Sequence, residues 1–465
     1  MQFVGRAREL ARLKQCYATA QQEAVLIYGR RRIGKSELIK YFLQRVDGAG
    51  VYYECKQTTE QDNVASLAQV WAEQQHLPPL AFAGIEALLT YFFEQAQQQK
   101  LILVLDEYPY LRQTVKGMDS ILQTLLDKYA ARSQLKLILC GSFVETMQAL
   151  LMAHNPLYGR ITLTLNLQPM DYYEAAAFYP NCSLADRVRL YSVFGGVPYY
   201  NRLIDDTRSV RDNILTLLVT PGARLENEIL LYLQGELARF NNANAAFVAM
   251  TQGFSRFNDI LAQSHLASAQ ALTDVLKRLM LMGVVRKEAP INDQHNRKKA
   301  GYFISDPLSA FFYRYLFRYA SQRQVMLPEA FFARYIAEDF SQAYVPRAFE
   351  QICRQFLVRQ NLRGVLPKPF EQIGKYYYDM PQEHRNGEFD VVTQNAQGYT
   401  FYEAKFRDQP ITSAMIETEI QQVNATGLQC QQYGFFSRSG FDLSEPLRPD
   451  VVTYTLQDMY KVSYS

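Results

Sequence analysis

Cysteine is sparse and scattered. Cys16, Cys55, Cys140, Cys182, Cys353 and Cys430 stand without paired spacing. That argues against a zinc site and against a disulfide framework, and it points to free thiols. Charge of one sign is lacking too: 49 Lys and Arg against 46 Asp and Glu leave a formal net charge of +3. Overall electrostatics therefore do not mark a nucleic-acid binder, and any such contact must come from local patches. No apolar run approaches the length of a bilayer span. The opening Met1-Gln2-Phe3-Val4-Gly5-Arg6 has no basic region followed by an apolar core, so a cytoplasmic chain without membrane attachment is expected. Tryptophan occurs once, whereas 32 Tyr and 28 Phe supply rings expected mostly in cores. The 465 residues, 48% hydrophobic and 20% charged, suit a globular protein of about three domains.

The most informative stretch is Gly29-Arg30-Arg31-Arg32-Ile33-Gly34-Lys35-Ser36, which fits the phosphate-binding pattern G-x-x-x-x-G-K-[ST]. The apolar run Ala24–Tyr28 before it reads as a buried strand, and Ser36–Phe42 after it as the start of a helix. Backbone N–H groups at that helix start can cradle phosphates. Lys35 is placed for the β- and γ-phosphates of ATP and Ser36 for Mg²⁺. Downstream, five apolar residues Leu101–Leu105 lead into Asp106-Glu107. Such a strand has no wet face, as in a parallel sheet covered by helices. Asp106 then falls at the strand's carboxyl end, where ligands bind in open α/β sheets, and can hold Mg²⁺ through water. Glu107 is placed to orient or deprotonate the water attacking the γ-phosphate. The plainer alternative is a pair of solvated loop carboxylates.

The first 165 residues alternate strands (24–28, 50–54, 101–105, 136–140, 161–165) with helical patterns such as 61–75 and 118–131. This predicts an α/β class, with a doubly wound parallel sheet as a P-loop core. Ser142, just past the fourth strand, is a candidate γ-phosphate sensor or a helix cap. Residues 166–240 read as a helical lid broken by Gly195-Gly196-Val197-Pro198-Tyr199-Tyr200. Residues 241–325 follow the outline of a winged helix: the helix Ser268–Met282, a strand at 283–287, a polar loop 292–299 and Gly301–Ile304. Arg297-Lys298-Lys299 would sit in the wing, as a DNA contact, a protein-interaction element or a solvated loop.

From 326 a second constellation appears. Gly387–Val392 carries Asp390, a polar turn 393–398 follows, and Tyr399–Phe406 carries Glu403 and Lys405. Residues two apart in a strand share a face, and hairpin pairing can bring Asp390 beside them. Glu350 lies on the helical pattern 343–360. Two or three such carboxylates can hold Mg²⁺ or Mn²⁺, and the lysine can orient a water. A surface hairpin with an ion pair across it is the alternative.

At this point the chain resembles a family. Phe3-Val4-Gly5-Arg6-Ala7-Arg8-Glu9-Leu10, the arginine-rich loop, Asp106-Glu107 and Pro156-Leu157-Tyr158-Gly159-Arg160 resemble archaeal-type ATPases of the AAA+/STAND group. Gly195–Tyr199 resembles that group's lid, and Tyr302–Pro307 with the aromatic run 311–319 resembles the end of its winged helix. The final segment is similar to the PD-(D/E)xK nuclease-like (DUF234-type) domain often fused to these ATPases. The resemblance implies that residues 3–6 lie near adenine, that Pro198 closes against nucleotide, and that Arg160 senses the γ-phosphate or a neighbouring subunit. A structural ion pair is the other reading of Arg160. It also implies that Asp390, Glu403 and Lys405 are a D…E-x-K core, with Glu350 the preceding helical acid. Phe389 stands where the pattern has proline, which leaves cutting and mere binding both open.

The expectation is therefore an ATPase of four parts: core (1–165), lid (166–240), winged helix (241–325) and nuclease-like domain (326–465). Its nucleotide state would control a metal-dependent DNA nuclease-like domain. The rivals are a signalling or scaffold ATPase and a DNA-binding regulator. Expected partners are ATP or ADP, DNA, a protein and a second copy of the chain.

Overall fold

The computed structural model describes residues 3–237, 240–296, 299–380, 385–428 and 430–461. They divide into two compact units, Met1–Pro169 and Met170–Ser465.

In the first unit, five strands form one parallel sheet: β1 (Glu23–Tyr28), β2 (Ala49–Glu54), β3 (Leu101–Asp106), β4 (Leu135–Gly141) and β5 (Leu163–Asn166). The spatial order is β2-β3-β4-β1-β5. Every residue of β3 and β4 is buried, as central strands covered by helices on both faces require. One core sits under the helices Glu60–Gln74 and Ile85–Gln95, where Trp71, Phe92 and Phe93 are almost wholly buried. Thr59 starts the first of these helices by accepting the Asp62 N–H, which satisfies an otherwise orphan donor. The crossovers leave β1, β3 and β4 ending at one edge, where Gly29, Glu107 and Ser142 follow directly.

The second unit begins with helices. Gly195-Gly196 turns the chain tightly: a Cβ on Gly196 would meet the Met170 carbonyl oxygen at 1.8 Å. Asn201 then donates to the Gly195 and Val197 carbonyls at 2.8 and 2.9 Å. Next come the helices Phe240–Thr251, Phe257–Ser264 and Ala269–Leu281 and an antiparallel pair, β6 (Val285–Glu288) and β7 (Gly301–Ile304). Arg256 bridges to Gly301 beside them.

The helix Val345–Leu362 then leads to a mixed sheet. Its main strands are β8 (Gln372–Met380), β9 (Arg385–Asn395) and β10 (Gly398–Lys405). The short β11 (Ile411–Thr412) precedes β12 (Cys430–Ser437), and the short β13 (Phe441–Asp442) precedes β14 (Val451–Thr455). The order is β14-β12-β10-β9-β8. Strands β8, β9 and β10 pair antiparallel, whereas β10, β12 and β14 run parallel. The helix Ser413–Ala425 covers one face through Ile416, Ile420 and Val423.

Three parts expected as separate domains after residue 165 thus share one unit that starts at Met170. Side chains far apart in sequence tie them together. Tyr172 donates to the Met459 carbonyl at 2.7 Å, Tyr344 to the Ser192 carbonyl at 3.0 Å, and Arg354 to Glu288 at 2.5 Å. The polar loop after β6, expected as a wing that contacts DNA, meets a protein or stands in solvent, is anchored at its root. Ile291 is buried in the core of the mixed sheet, and its N–H donates to the Lys375 carbonyl at 2.7 Å. Asn292 both donates to and accepts from the Tyr377 backbone. Lys299 pairs with Asp293 at 2.9 Å; Arg297 and Lys298 lie outside the described residues. Among the described residues no helix is long and apolar enough to cross a membrane.

Candidate functional site

Strand β1 delivers the chain into a loop that only certain residues can form. A Cβ on Gly29 would lie 2.6 Å from the Leu167 carbonyl oxygen, and Gly34 has φ +91°. Arg32 takes a positive φ of 67° while Ile33 is fully buried. Left-handed residues within such a loop are what an anion-binding concavity of backbone N–H groups uses. Arg6 braces the loop: its guanidinium donates to the Ile33 carbonyl at 3.1 Å and pairs with Glu9 at 3.2 Å. Phe3 stacks on Tyr41, with centroids 4.0 Å apart, so the segment 3–6 lies beside this loop and its helix. Arg31 lies over the Phe143 ring at 5.6 Å.

Lys35 and Ser36 open the helix Lys35–Leu43. Lys35 is 6% exposed, and its ammonium donates to the Gly29 and Arg30 carbonyls at 3.0 and 3.1 Å. Ser36 Oγ donates to Asp106 Oδ2 at 2.6 Å. Tyr52, from the neighbouring strand, also donates to Oδ2, and the Glu107 N–H donates to Oδ1 at 2.9 Å. Burial alone would raise the Asp106 pKa, but hydrogen bonds from Cys140, Ser36, Tyr52 and Glu107 outweigh it and hold the carboxyl below its usual range. Asp106 is therefore charged at neutral pH.

Glu107 occupies the left-handed region, φ 49°. Its carboxylate accepts the Ser142 hydroxyl at 2.9 and 3.0 Å and the Ser142 N–H at 3.3 Å. Ser142 thus holds Glu107 and makes no side-chain cap on the helix Val144–Ala149. The donor set fits a magnesium–nucleotide: an ammonium and loop N–H groups for phosphate, with a hydroxyl and an ionised carboxylate 2.6 Å apart for a hard cation. Bound there, the cation would neutralise phosphate charge.

Arg160 is placed elsewhere. It grips Asp127 through two bonds of 2.8 and 2.7 Å and donates to the Pro156 and Tyr158 carbonyls. Two residues on, the Thr162 N–H pairs with Ala24 at the start of β1. Arg160 therefore sits at the strand edge opposite the loop, in the ion pair that was its alternative reading, and cannot sense a γ-phosphate within its own subunit. Pro198 opens the short helix Pro198–Asn201 in the second unit.

The second constellation gathers at one end of the mixed sheet. The β9–β10 register runs to Tyr402↔Val391, so Glu403 and Asp390 are the next positions along. Lys375 from β8 pairs with Asp390 at 2.6 Å and with Glu388 at 2.5 Å. Lys405 pairs with Glu403 at 2.5 Å and Glu419 at 3.0 Å. Arg354 donates to the Asp390 carbonyl and to Glu288. Glu350 lies close enough to feel the Asp390 and Glu403 charges. Each of Asp390 and Glu403 thus carries a lysine counter-ion. Among the described residues, no three His, Cys, Asp or Glu side chains are grouped as a metal site.

Burial and the nearby Asp390 charge push the Glu350 carboxyl up to about 8. The folded chain then keeps a proton that the unfolded chain releases between the ordinary 4.5 and 8. That contribution to stability is present in full below pH 4.5 and is lost as pH rises through 8. Glu350→Gln is neutral at every pH. Thermal denaturation should show it melting roughly 5–10 °C above wild type at pH 9, with the gap closing as the pH falls to about 4. A constant offset between the two would contradict the raised value.

Sequence reading missed Tyr52, Lys375, Arg354 and Glu288. Tyr52 lies in Val51-Tyr52-Tyr53, which reads as core. Lys375, a single cation opening Lys375-Tyr376-Tyr377-Tyr378, was the one legible signal.

Comparison with known proteins bears on both ends of the chain. Residues 3–202 match the family model of an ATPase domain found predominantly in Archaea. Residues 312–422 match a family of archaeal and bacterial proteins of unknown function, DUF234. An uncharacterised protein of Methanocaldococcus jannaschii is 26% identical over 411 residues, 87% of this chain and 88% of its own. A second protein of that organism, also uncharacterised, is 36% identical over 59 residues, 13% of this chain and 57% of its own. The Walker-type ATPase of Pyrococcus abyssi has a similar fold: TM-score 0.51 at 19% identity, covering 67% of this chain and 96% of that one. The chain thus carries an archaeal-type P-loop ATPase domain followed by a DUF234 domain.

Proposed function

We propose that the chain binds and hydrolyses ATP with Mg²⁺ and uses the nucleotide state to govern its C-terminal domain. The observation carrying this is the close set of Lys35, Ser36, Asp106 and Glu107 at one strand edge, with Ser36 Oγ 2.6 Å from Asp106. In this reading Lys35 and the loop amides take the phosphates, Ser36 and Asp106 hold the cation, and Glu107 activates water. Residues 3–6 would border the base and Pro198 would close on it. Three helices, the β6–β7 hairpin and the Arg256–Gly301 bridge support a winged helix. Its loop root serves intramolecular docking, which favours a scaffold role over free DNA contact.

A second reading, a metal-dependent nuclease, is favoured by one observation. Glu350, Asp390, Glu403 and Lys405 converge at one sheet end, where the Glu350 carboxyl feels both other acids. Mg²⁺ or Mn²⁺ would have to displace Lys375 from Asp390 there. Plasmid and single-stranded DNA, incubated with either cation with and without ATP, separate the readings. Cleavage lost in Asp390→Ala establishes the nuclease. ATP turnover without cleavage leaves the scaffold ATPase, and no turnover at all refutes the proposal.

A further inference from the structure

We infer that the Tyr52 hydroxyl is a placeholder on the Asp106 carboxylate, given up when nucleotide arrives with its divalent cation. Tyr52 would thereby set how strongly cation and nucleotide support each other's binding. The inference rests on the ATPase reading above and deepens it.

The case begins with a count of donors. Asp106 is 2% exposed; its Oδ2 accepts both the Ser36 hydroxyl and the Tyr52 hydroxyl, and its Oδ1 accepts the Glu107 N–H. Each oxygen of an ionised carboxylate offers about two lone-pair sites, so the two hydroxyls fill Oδ2. A water carried by a cation beside Ser36 could donate to that oxygen only if one of them left. Ser36 must stay, because its oxygen is the other group facing the cation.

Tyr52 is less enclosed than the carboxylate it donates to. Its ring is half-buried at the crevice end of β2, in register with Val104, two residues short of Asp106. Its ring also faces the Lys40 ammonium, 4.8 Å from the centroid and one helical turn after Ser36. A face contact of that kind tolerates a pivot of the ring. Tyr52 acts through Asp106, as a positioning residue.

The test is Tyr52→Phe, which keeps the ring and the Lys40 contact. The full-length protein is titrated with a fluorescent ADP analogue, first in EDTA and then across Mg²⁺ concentrations. Affinity in EDTA should stay within about twofold of wild type. The Mg²⁺ concentration giving half the affinity gain should fall about threefold to tenfold, because one hydrogen bond to a carboxylate no longer has to be exchanged. An unchanged or higher Mg²⁺ midpoint overturns the inference. A second measurement uses folded wild-type protein carrying 3-fluorotyrosine. The Tyr52 fluorine signal should shift with MgADP and stay put with ADP in EDTA; a signal that ignores the cation overturns the inference too. Wild-type protein that binds no nucleotide at all removes the ATPase reading itself, an outcome distinct from either.

Discussion

Lys35→Ala should lower affinity for ATP and ADP by about a hundredfold or more and abolish turnover. The reason lies in where the ammonium stands. Lys35 is 6% exposed, and its ammonium donates to two carbonyls of its own loop, Gly29 and Arg30. An ammonium held against the loop's own carbonyls stands where a bound phosphate would meet it. Hydrogen bonds to charged groups contribute about 1.5–3 kcal/mol each, and two of them lost at a dry site amount to roughly two to four decades. The loop itself should survive. Gly29 and Gly34 set its turns, and Arg6 holds the Ile33 carbonyl from outside it. Calorimetric titration with ADP checks the affinity, and circular dichroism checks the fold. A folded variant that binds ADP as wild type does would mean that the loop is a structural relic.

The ATPase core was legible because its determinants are local. Parallel strands buried on both faces read as apolar runs, and all five lie within two residues of the spans read from sequence. The phosphate loop, its strand and its helix are contiguous, so one motif captures them. The C-terminal hairpin was legible for the same reason, since Asp390 and Glu403 are brought together by one short turn. Contacts between distant segments were hidden. Tyr52 reaches Asp106 across 54 residues, and Arg354 reaches Glu288 across 66. No periodicity encodes either pairing. Arg160 shows the converse. A motif gave the residue its candidate roles, but only the strand register placed it at the edge away from the loop, in an ion pair with Asp127. The loop after β6 read as a polar loop, yet Ile291, Asn292 and Gln294 dock it on β8.

The other large effect is expected at Glu107. Its carboxylate is one residue past Asp106 and is held by both the hydroxyl and the N–H of Ser142. Glu107→Gln keeps size and shape, and the amide oxygen can still accept the Ser142 hydroxyl, so the left-handed turn at this position need not change. What the amide cannot do is take a proton. A positioned general base contributes about 10²–10⁴ in rate, so turnover should fall by at least about a hundredfold while ATP affinity stays near wild type. This differs in kind from Lys35→Ala, which removes binding and turnover together. Single-turnover hydrolysis beside equilibrium ATP binding separates the two. Ser142→Ala sharpens the result, because it frees the carboxylate without removing the base and should leave far more activity than Glu107→Gln. Equal losses in both variants would show that Glu107 serves to hold Ser142 and that the base lies elsewhere.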